Sequence, residues 1–290
     1  MRSVEGFKDY ELIDADSGER LERWGDIILI RPDPQVIWSG ERKNPLWYSA
    51  HAKYYRSNSG GGHWEAWKKV PDVWSIKYDD LTFRLKPMGF KHTGLFPEQA
   101  VNWSLAKRLI ENAGREISVL NLFAYTGGAT VACLSAGASV THVDASKGMV
   151  QWAKENAAAS GLSDGNVRWL VDDCLKFVKR EIRRGKKYDA IIMDPPSYGR
   201  GPNGEVWKLE QQLTELLTET AKLLSDNALF FFLNSYTGGL SHTILDYMVS
   251  EYVVKGRTGK VYTDEIGLPI TEKGISMPCG NTTIWTSENG

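Results

Sequence analysis

The chain has 290 residues, and its 42% hydrophobic share is enough for one large core or two smaller ones. Its 35 Lys and Arg residues balance 36 Asp and Glu residues, so overall charge indicates no nucleic-acid partner and any basic site must be local. Three scattered cysteines, Cys133, Cys174 and Cys279, argue against a disulfide framework and are typical of a reducing compartment. The first ten residues lack the apolar core of a signal peptide, and no apolar run could span a bilayer. We therefore expect a cytoplasmic protein without a membrane partner.

Residues 1–86 have the pattern of a small, turn-rich β domain. Its β-type runs are residues 26–31, 34–38, 73–78 and 81–86, and residues 58–62 are expected to form a loop tip. Six of the 11 tryptophans lie here, and residues 41–70 hold six Lys or Arg against two Glu. Basic residues interleaved with aromatic ones suit single-stranded RNA. The simpler alternative for any single residue is a tryptophan core with a solvated charged face.

Residues 118–130, SVLNLFAYTGGAT, predict a buried strand, a tight turn and a helix. Gly127 and Gly128 allow the backbone to approach a ligand, and the helix behind them presents N–H groups. The next predicted strand, 139–143, ends at Asp144, which is 144 − 127 = 17 residues after Gly127. An acid at this distance is placed to accept hydrogen bonds from both hydroxyls of a ribose. The unit therefore predicts a site for a nucleoside-containing cofactor.

Strand and helix patterns alternate through the rest of the chain. We predict helices over 103–112, 147–160 and 205–224, strands over 167–171, 188–193 and 228–233, and further strand segments near 260–262 and 282–286. The strand at 188–193 runs into Asp194-Pro195-Pro196-Ser197-Tyr198. An acid and two prolines at the carboxyl end of a buried strand predict a rigid shelf whose free carbonyls accept from an exocyclic amine. The Gly-rich loop at 199–204 is long enough to close over a substrate.

The glycine turn, the ribose acid and the D-P-P shelf, in this order, resemble class I S-adenosylmethionine (SAM) methyltransferases. Four segments are similar to the group containing bacterial large-subunit ribosomal RNA base methyltransferases: KHTGLFPEQ at 91–99, NLFAYTGGAT at 121–130, HVDAS at 142–146 and DPPSYGRG at 194–201. The resemblance implies a Rossmann-like, seven-stranded α/β sheet in a catalytic domain, residues 87–290. Residues 1–86 would be a smaller β-rich domain with possible RNA binding.

The resemblance also implies SAM as the cofactor and ribosomal RNA as the partner. The residues expected to bind SAM are Phe96, Gln99, Asn121, Phe123, Tyr125, Thr126, Gly127, Gly128, Asp144, Ala145, Ser146, Asp173 and Cys174. The residues expected to act in catalysis are Asp194, Pro195, Pro196 and Tyr198. Asp173 is expected to reach the adenine amino group, with a helix N-cap as its alternative role. The five histidines show no ligand spacing, so we expect no metal, and the oligomeric state stays open.

The predicted reaction is transfer of a methyl group from SAM to a nucleobase. Asp194 or the adjacent carbonyls would hold an acceptor amine, and Tyr198 would stack on the base. Methylation at cytosine C5 would need a cysteine thiolate, for which Cys279 in an exposed turn is the candidate; a structural role for Cys279 is the favoured interpretation. Two alternatives stay open: a methyltransferase acting on a small molecule or protein, and a SAM- and RNA-binding protein without turnover.

Overall fold

The computed structural model describes residues 1–57, 61–200 and 206–288. The chain folds as two units. The C-terminal unit comprises Met1–Arg2, Val101–Ile266 and Cys279–Gly290, and the N-terminal unit comprises Ser3–Ala100 and Gly267–Pro278. The N-terminal unit thus extends through Ala100 and takes in a short segment from the other end of the chain, whereas composition places a boundary at residue 86.

The N-terminal unit is β-rich. Its strands are β1 (Arg2–Ser3, whose first residue belongs to the other unit), β2 (Tyr10–Asp16), β3 (Glu19–Trp24), β4 (Ile27–Pro32), β5 (Ala52–Arg56), β6 (Gly62–Ala66), β7 (Trp74–Tyr78) and β8 (Leu81–Leu85). Strands β2, β3 and β4 form an antiparallel meander, β4 pairs with β5 in parallel, and β5 pairs with β6. Strands β7 and β8 form a separate hairpin. Trp24 and Trp47 are buried, as the core interpretation of the tryptophans predicts.

One predicted strand of this unit is wrong. Residues 34–38 form no strand, because their backbone groups bond to the turn between β2 and β3 and not to a neighbouring strand. Gly18 donates to the Val36 carbonyl at 2.8 Å, and Ser17 donates to the Trp38 carbonyl at 2.9 Å. The predicted loop tip at 58–62 falls partly outside the described residues.

The C-terminal unit alternates helices and strands. Its helices are α1 (Ala100–Asn112, whose first residue belongs to the other unit), α2 (Gly128–Ser135), α3 (Lys147–Ala159), α4 (Cys174–Arg183), α5 (Leu209–Ala221) and α6 (His242–Tyr252). Its strands are β9 (Ser118–Leu122), β10 (Ser139–Asp144), β11 (Val167–Val171), β12 (Ala190–Met193), β13 (Tyr198–Arg200), β14 (Val206–Lys208), β15 (Phe230–Ser235), β16 (Lys260–Ile270) and β17 (Ile275–Thr286). The last two strands each continue into the N-terminal unit.

A sheet in the order β11-β10-β9-β12-β15-β17-β16 forms the frame of this unit. The first five strands are parallel, and β17 runs antiparallel to β15. This confirms the predicted Rossmann-like sheet of seven strands with extra N-terminal β strands. A cluster of fully buried side chains, including Leu120, Phe177, Leu217 and Phe231, packs α4 and α5 onto the sheet. Burial of each such side chain contributes about 1.5–3 kcal/mol.

The order in which the chain adds strands to the sheet reverses at β9. The chain adds β10 and β11 on one side of β9 and then returns to place β12 and β15 on the other. In such sheets ligands bind in the crevice outside the carboxyl ends of the strands at this switch point. Among the described residues, no helix combines the length and the apolar character needed to cross a bilayer.

Candidate functional site

The switch point brings most of the predicted site residues to one edge of the sheet. The turn after β9 holds residues 123–128, β10 ends at Asp144, and Asp194 follows β12 directly. Asp173 and Cys174 begin α4 after β11, which pairs with β10. Because these strands are parallel, their carboxyl ends open to the same crevice. Phe96 and Gln99 belong to the N-terminal unit, where Phe96 packs on His92 with ring centroids 5.2 Å apart, so their approach to the cofactor stays a prediction.

The turn after β9 is tightly wound. Phe123 and Tyr125 adopt positive φ angles of 54° and 50°, and Gly127 follows at 82°. Non-glycine residues in this left-handed region store strain and cluster at functional sites. Close packing requires glycine at both positions, in addition to any access for a ligand. A Cβ on Gly127 would lie 2.8 Å from the Ala153 Cβ. A Cβ on Gly128 would lie 2.6 Å from the Trp103 ring, so the turn is packed against α3 and α1.

Asp144 is oriented by this turn. One carboxylate oxygen accepts from the Tyr125 backbone N–H and the other from the Ser146 backbone N–H, both at 2.8 Å. Burial raises the pKa of the Asp144 carboxyl above its usual value, and the two backbone hydrogen bonds oppose that shift. Each oxygen keeps a further lone pair, and the side chain is only partly buried. The carboxylate is therefore fixed in direction and still able to accept from two ribose hydroxyls, which fits the ribose of SAM.

Asp173 and Cys174 tie α4 to the same crevice. Asp173 caps α4, since its Oδ1 accepts from the Lys176 backbone N–H at 2.8 Å. The exposed carboxylate has acceptor capacity beyond this bond, and its contact with adenine stays a prediction. The Cys174 thiol accepts from the Phe123 N–H at 3.3 Å. Burial is the main cause that raises the pKa of Cys174, so the thiol stays protonated and serves packing.

A buried polar chain supports the turn from inside the unit. The Asn121 amide donates to the Thr130 hydroxyl at 2.9 Å, and that hydroxyl lies 2.9 Å from Nδ1 of His142. Burial lowers the pKa of His142 to about 3, so the ring is neutral. The Thr126 carbonyl accepts from Asn156 at 2.8 Å. Asn121 is 3% exposed and Thr126 is 1% exposed, so these two side chains lie in the packed interior beneath the crevice. Ala145 and Ser146 are exposed, and Ser146 caps α3.

The acceptor side of the crevice contains a hairpin that the sequence did not predict. Strand β13 pairs with β14, with Gly199 opposite Trp207, directly after the D-P-P segment. The Trp207 indole N–H donates to the Pro196 carbonyl at 2.6 Å, and its ring lies 5.7 Å from the Phe123 ring. This carbonyl therefore already accepts one hydrogen bond and keeps one lone pair, so its contact with an acceptor amine stays a prediction. Asp194 remains as the charged acceptor on the shelf.

The hairpin also sets the surroundings of Tyr198. Tyr198 pairs with Lys208 across the hairpin and is 52% exposed, whereas Pro195 is buried and Pro196 is exposed. The predicted helix at 205–224 begins only at Leu209, because β14 precedes it. Part of the predicted loop at 199–204 lies outside the described residues. Asn203-Gly204 between β-type residues was the sequence signal that could have indicated the hairpin.

All three cysteines are buried, and none of them forms a disulfide. The expectation of an exposed turn at Cys279 is wrong, because Cys279 lies within β17 and is 5% exposed. Close packing and not a turn explains Gly280, because a Cβ added at this position would lie 2.8 Å from the Tyr236 ring. Burial raises the pKa of Cys133 to about 12. In the described parts of the chain, no group of three or more His, Cys, Asp or Glu side chains is arranged to hold a metal ion.

A switch-point crevice, an oriented acid at the second strand tip and a D-P-P shelf define a nucleoside-cofactor-dependent α/β enzyme. The chain belongs to the S-adenosylmethionine-dependent methyltransferase family, whose model matches residues 44–236. SAM is its cofactor, and the fit of Asp144 to a ribose agrees with that assignment.

Two solved structures share the fold over nearly the whole chain. A SAM-dependent methyltransferase from Agrobacterium tumefaciens is 34% identical, with a TM-score of 0.93, and the match covers 99% of this chain and 93% of that one. A structure described as a methyltransferase complexed with SAH is 19% identical, with a TM-score of 0.76, covering 97% of this chain and 76% of that one. At that identity the second likeness shows the fold alone.

A curated relative matches a shorter part of the chain. The ribosomal RNA large subunit methyltransferase K/L of Shewanella frigidimarina (strain NCIMB 400) is 37% identical over 155 residues, which is 53% of this chain and 21% of that protein. The chain therefore spans about a fifth of the length of the curated relatives that it matches.

Proposed function

We propose that this protein transfers a methyl group from SAM to a nitrogen of a nucleobase in large-subunit ribosomal RNA. The observation that carries the proposal is the shelf, where the Asp194 carboxylate and the exposed Tyr198 ring follow the strand next to the cofactor turn. The named activity of the Shewanella relative supports the RNA substrate. We place the reaction in the reducing cytoplasm, in keeping with three cysteines that form no disulfide.

The cofactor side would be held by the turn after β9 and by Asp144. Asp144 would accept from the ribose hydroxyls, and the N-terminus of α2 would face the crevice with backbone N–H groups. The tight packing of Gly127 and Gly128 against α3 and α1 fixes this turn before binding, so little ordering is left to be done on binding. SAM, when bound, supplies a methyl group that its sulfonium already activates.

The acceptor side would be held by Asp194 and Tyr198. An exocyclic or ring N–H of the base would donate to the Asp194 carboxylate, which would orient the nitrogen lone pair, stabilise the positive charge that develops on it and accept the proton that the methylated nitrogen loses. The half-exposed Tyr198 ring would stack on the base. Trp207 holds the hairpin that carries Tyr198 through its bond to the Pro196 carbonyl.

The state of the cysteines favours a nitrogen over cytosine C5 as the acceptor. A covalent route to C5 requires an accessible thiolate. The chain has three cysteines, and each of them is buried. Burial raises the pKa of both Cys133 and Cys174, which opposes thiolate formation. Direct attack by a base nitrogen needs no such group.

The test is methyl transfer from tritiated SAM to purified large-subunit ribosomal RNA, to free bases and to a protein extract in parallel. We expect label in the RNA, and mass spectrometry of its nucleosides should identify an N-methylated base. Label confined to protein or small molecules, or a 5-methylcytosine product, would overturn the proposal.

The matched variants are Asp194→Ala and Asp226→Ala, both in the wild-type background. Asp226 is exposed and precedes β15, so it lies at the opposite edge of the sheet. We expect Asp194→Ala to lower turnover at least about 100-fold, the usual size of a positioned acid–base or electrostatic contribution. Its SAM affinity should stay within a few-fold of wild type, and Asp226→Ala should behave as wild type. Equal losses of SAM affinity and turnover would make Asp194 a cofactor ligand only.

A further inference from the structure

Four cationic side chains of the N-terminal unit gather around the start of the KHTGLFPEQ segment. They are Arg20 on β3, Arg31 on β4, Arg56 at the end of β5, and Lys91. The Arg31 guanidinium donates to the Lys91 carbonyl at 3.2 Å, and the Lys91 ammonium donates to the Pro32 carbonyl at 3.3 Å. Arg56 is close enough to lower the pKa of both Lys91 and His92. We call these four residues the basic cluster.

Two members of the basic cluster are neutralised inside the unit. Arg31 forms a bidentate ion pair with Glu22, at 2.6 Å from Nε to Oε2 and 2.7 Å from Nη2 to Oε1. Arg20 forms an ion pair with Asp33. Within the described part of the chain, neither Arg56 nor Lys91 forms an ion pair with a carboxylate. Four cations therefore face two carboxylates, which leaves the cluster with two positive charges in excess.

Burial and the excess positive charge lower the pKa values of Lys91 and His92. Burial and then the Arg31 charge lower the pKa of Lys91 to about 8. Burial, followed by the charges of Arg31, Lys91, Arg20 and Arg56, lowers the pKa of His92 to about 3, so His92 adds no charge. Holding four cations together with two acids is unfavourable for folding, because Lys91 is partly desolvated and has no carboxylate partner. Such a cluster is explained by an anionic ligand that supplies the missing charge.

An exposed aromatic side chain stands beside the cluster. Phe90 is 46% exposed, and its ring packs edge-on against His92 with centroids 5.5 Å apart. Arg56 is exposed as well, so cation and aromatic ring are both accessible. Cations that bind phosphate, next to an aromatic ring that can stack on a base, are the chemistry of single-stranded nucleic-acid recognition.

Two cations of the basic patch that the sequence indicates at residues 41–70 are neutralised within the unit. Arg42 pairs with Asp16 and Glu19 and lies 4.0 Å over the Trp47 ring. Lys53 pairs with Glu19 at 2.6 Å. Arg42 and Lys53 are therefore engaged within the unit, whereas Arg56 of the same patch belongs to the basic cluster.

We propose that Lys91 and Arg56, backed by Arg31 and Arg20, bind a backbone phosphate of the RNA substrate, with Phe90 against a neighbouring base. The proposal rests on the proposed function, since it assigns where that substrate is held. It gives the N-terminal unit a defined phosphate site in place of a general basic face.

The experiment measures binding of a fluorescent large-subunit ribosomal RNA transcript by the full chain across salt concentrations. The variants are Lys91→Gln and Arg56→Gln, and the controls are Lys43→Gln and Lys69→Gln, which each remove one exposed cation of the same unit. Each lost phosphate contact should reduce the slope of log affinity against log salt by about 0.7 for a single strand. We expect that reduction in both cluster variants and wild-type slopes in the controls.

SAM affinity and methyl transfer are measured on the same proteins to separate the possible failures. Unchanged salt slopes in Lys91→Gln and Arg56→Gln would overturn the phosphate site, even if ribosomal RNA is methylated. A loss of SAM affinity with unchanged salt slopes would also overturn it and assign the cations to the cofactor carboxylate. If the cluster variants show reduced salt slopes but the wild-type protein methylates no RNA, the proposed function is refuted and the phosphate site stands.

Discussion

At the scale of single residues, Asp144 gives the sharpest test of the cofactor site. Its carboxylate accepts two backbone N–H groups and keeps acceptor capacity for two ribose hydroxyls. Hydrogen bonds to a charged group contribute about 1.5–3 kcal/mol each, so Asp144→Ala should raise the Kd for SAM at least about tenfold. Isothermal titration calorimetry measures the change.

A matched control removes an equivalent carboxylate from the other edge of the sheet. Asp164 is exposed and precedes β11, so Asp164→Ala should bind SAM as the wild type does. Asp144→Asn keeps one acceptor oxygen for the turn and should fall between Asp144→Ala and wild type. Wild-type SAM affinity in Asp144→Ala would remove Asp144 from the cofactor site.

The second prediction at this scale concerns how His142 makes the folding stability depend on pH. Its pKa is lowered to about 3 by burial, whereas an unfolded histidine titrates near 6.5. Below pH ~6.5 His142 binds a proton in the unfolded chain but not in the folded protein. The free energy of unfolding therefore falls as pH falls, by about 1.4 kcal/mol per pH unit. The loss continues down to the folded pKa of about 3.

The measurement is urea unfolding of wild type and His142→Asn at pH 6 and pH 5. The asparagine oxygen can still accept from Thr130, but it does not titrate. We expect the wild type to lose about 1.4 kcal/mol more than this variant between the two pH values. His63→Asn, at an exposed position, should keep the wild-type dependence. Equal losses in wild type and His142→Asn would show that His142 is protonated in the folded state.

At the scale of elements, the close packing of the glycine turn predicts that alanine at Gly128 destabilises the fold, whereas alanine at Gly148 in α3 does not. A Cβ on Gly128 would lie 2.6 Å from the Trp103 ring, so Gly128→Ala forces α1 and α2 apart. Such overpacking destabilises by about 1–3 kcal/mol. In Gly148→Ala the new Cβ would lie 3.8 Å from the Ser146 hydroxyl, an ordinary contact, and alanine favours the helix.

Thermal unfolding compares the two alanine variants. We expect Gly128→Ala to melt several degrees lower than wild type and Gly148→Ala to melt at or above wild type. A wild-type melting temperature in Gly128→Ala would mean that α1 does not constrain the turn.

The hairpin β13–β14 predicts that Trp207 acts as a positioning residue. Trp207→Phe keeps an aromatic ring near Phe123 but removes the N–H that bonds to the Pro196 carbonyl. Loss of one exposed hydrogen bond of about 0.5–1.5 kcal/mol should lower kcat/KM for RNA about 2–10-fold, with SAM affinity unchanged. Steady-state kinetics with both substrates provide the readout. Trp169→Phe removes an indole N–H from β11, away from the shelf, and should leave kcat/KM unchanged. A drop of the same size in both variants would point to general destabilisation.

How far the sequence predicts these elements depends on the length and periodicity of each one. The parallel strands β9 to β12 and helix α3 were predicted within about two residues, since continuous apolar strands and an Ala-rich helix have strong patterns. The hairpin β13–β14 was missed because two strands of three residues carry no periodicity. The buried position of Cys279 was missed because Pro278 and Gly280 indicate a turn, and only tertiary packing on Tyr236 explains Gly280.

At the scale of the whole molecule, charge is distributed differently in space than along the chain. The formal net charge is −1, and of the six cations at 41–70, Arg42 and Lys53 pair with Asp16 and Glu19 while Arg56 belongs to the basic cluster. The basic cluster is assembled from four separate elements, so no window of sequence contains it. The predicted site residues of the C-terminal unit lie in motifs that are local in sequence, whereas a surplus made by Arg56 and Lys91 depends on the pairing of strands.

The basic cluster predicts how RNA binding depends on pH. With its pKa lowered to about 8, Lys91 is mostly protonated at pH 7 and mostly neutral at pH 9. Because only the charged form attracts a phosphate, its contribution should fall up to about tenfold between these values. The groups that act on Lys91 besides burial are Arg31, Asp33, Arg20 and Arg56. His92, with its pKa lowered to about 3, stays neutral throughout this range.

Replacement of Lys91 by arginine separates this titration from every other effect of pH. Lys91→Arg keeps the positive charge, and a guanidinium stays protonated at pH 9. We expect wild-type RNA affinity at pH 7 and a flat dependence up to pH 9, measured by fluorescence anisotropy at constant salt. Lys43→Arg, at an exposed lysine of the same unit, should keep the decline seen in wild type. A decline in Lys91→Arg equal to that of wild type would show that the titrating group lies elsewhere and that Lys91 does not contact the phosphate.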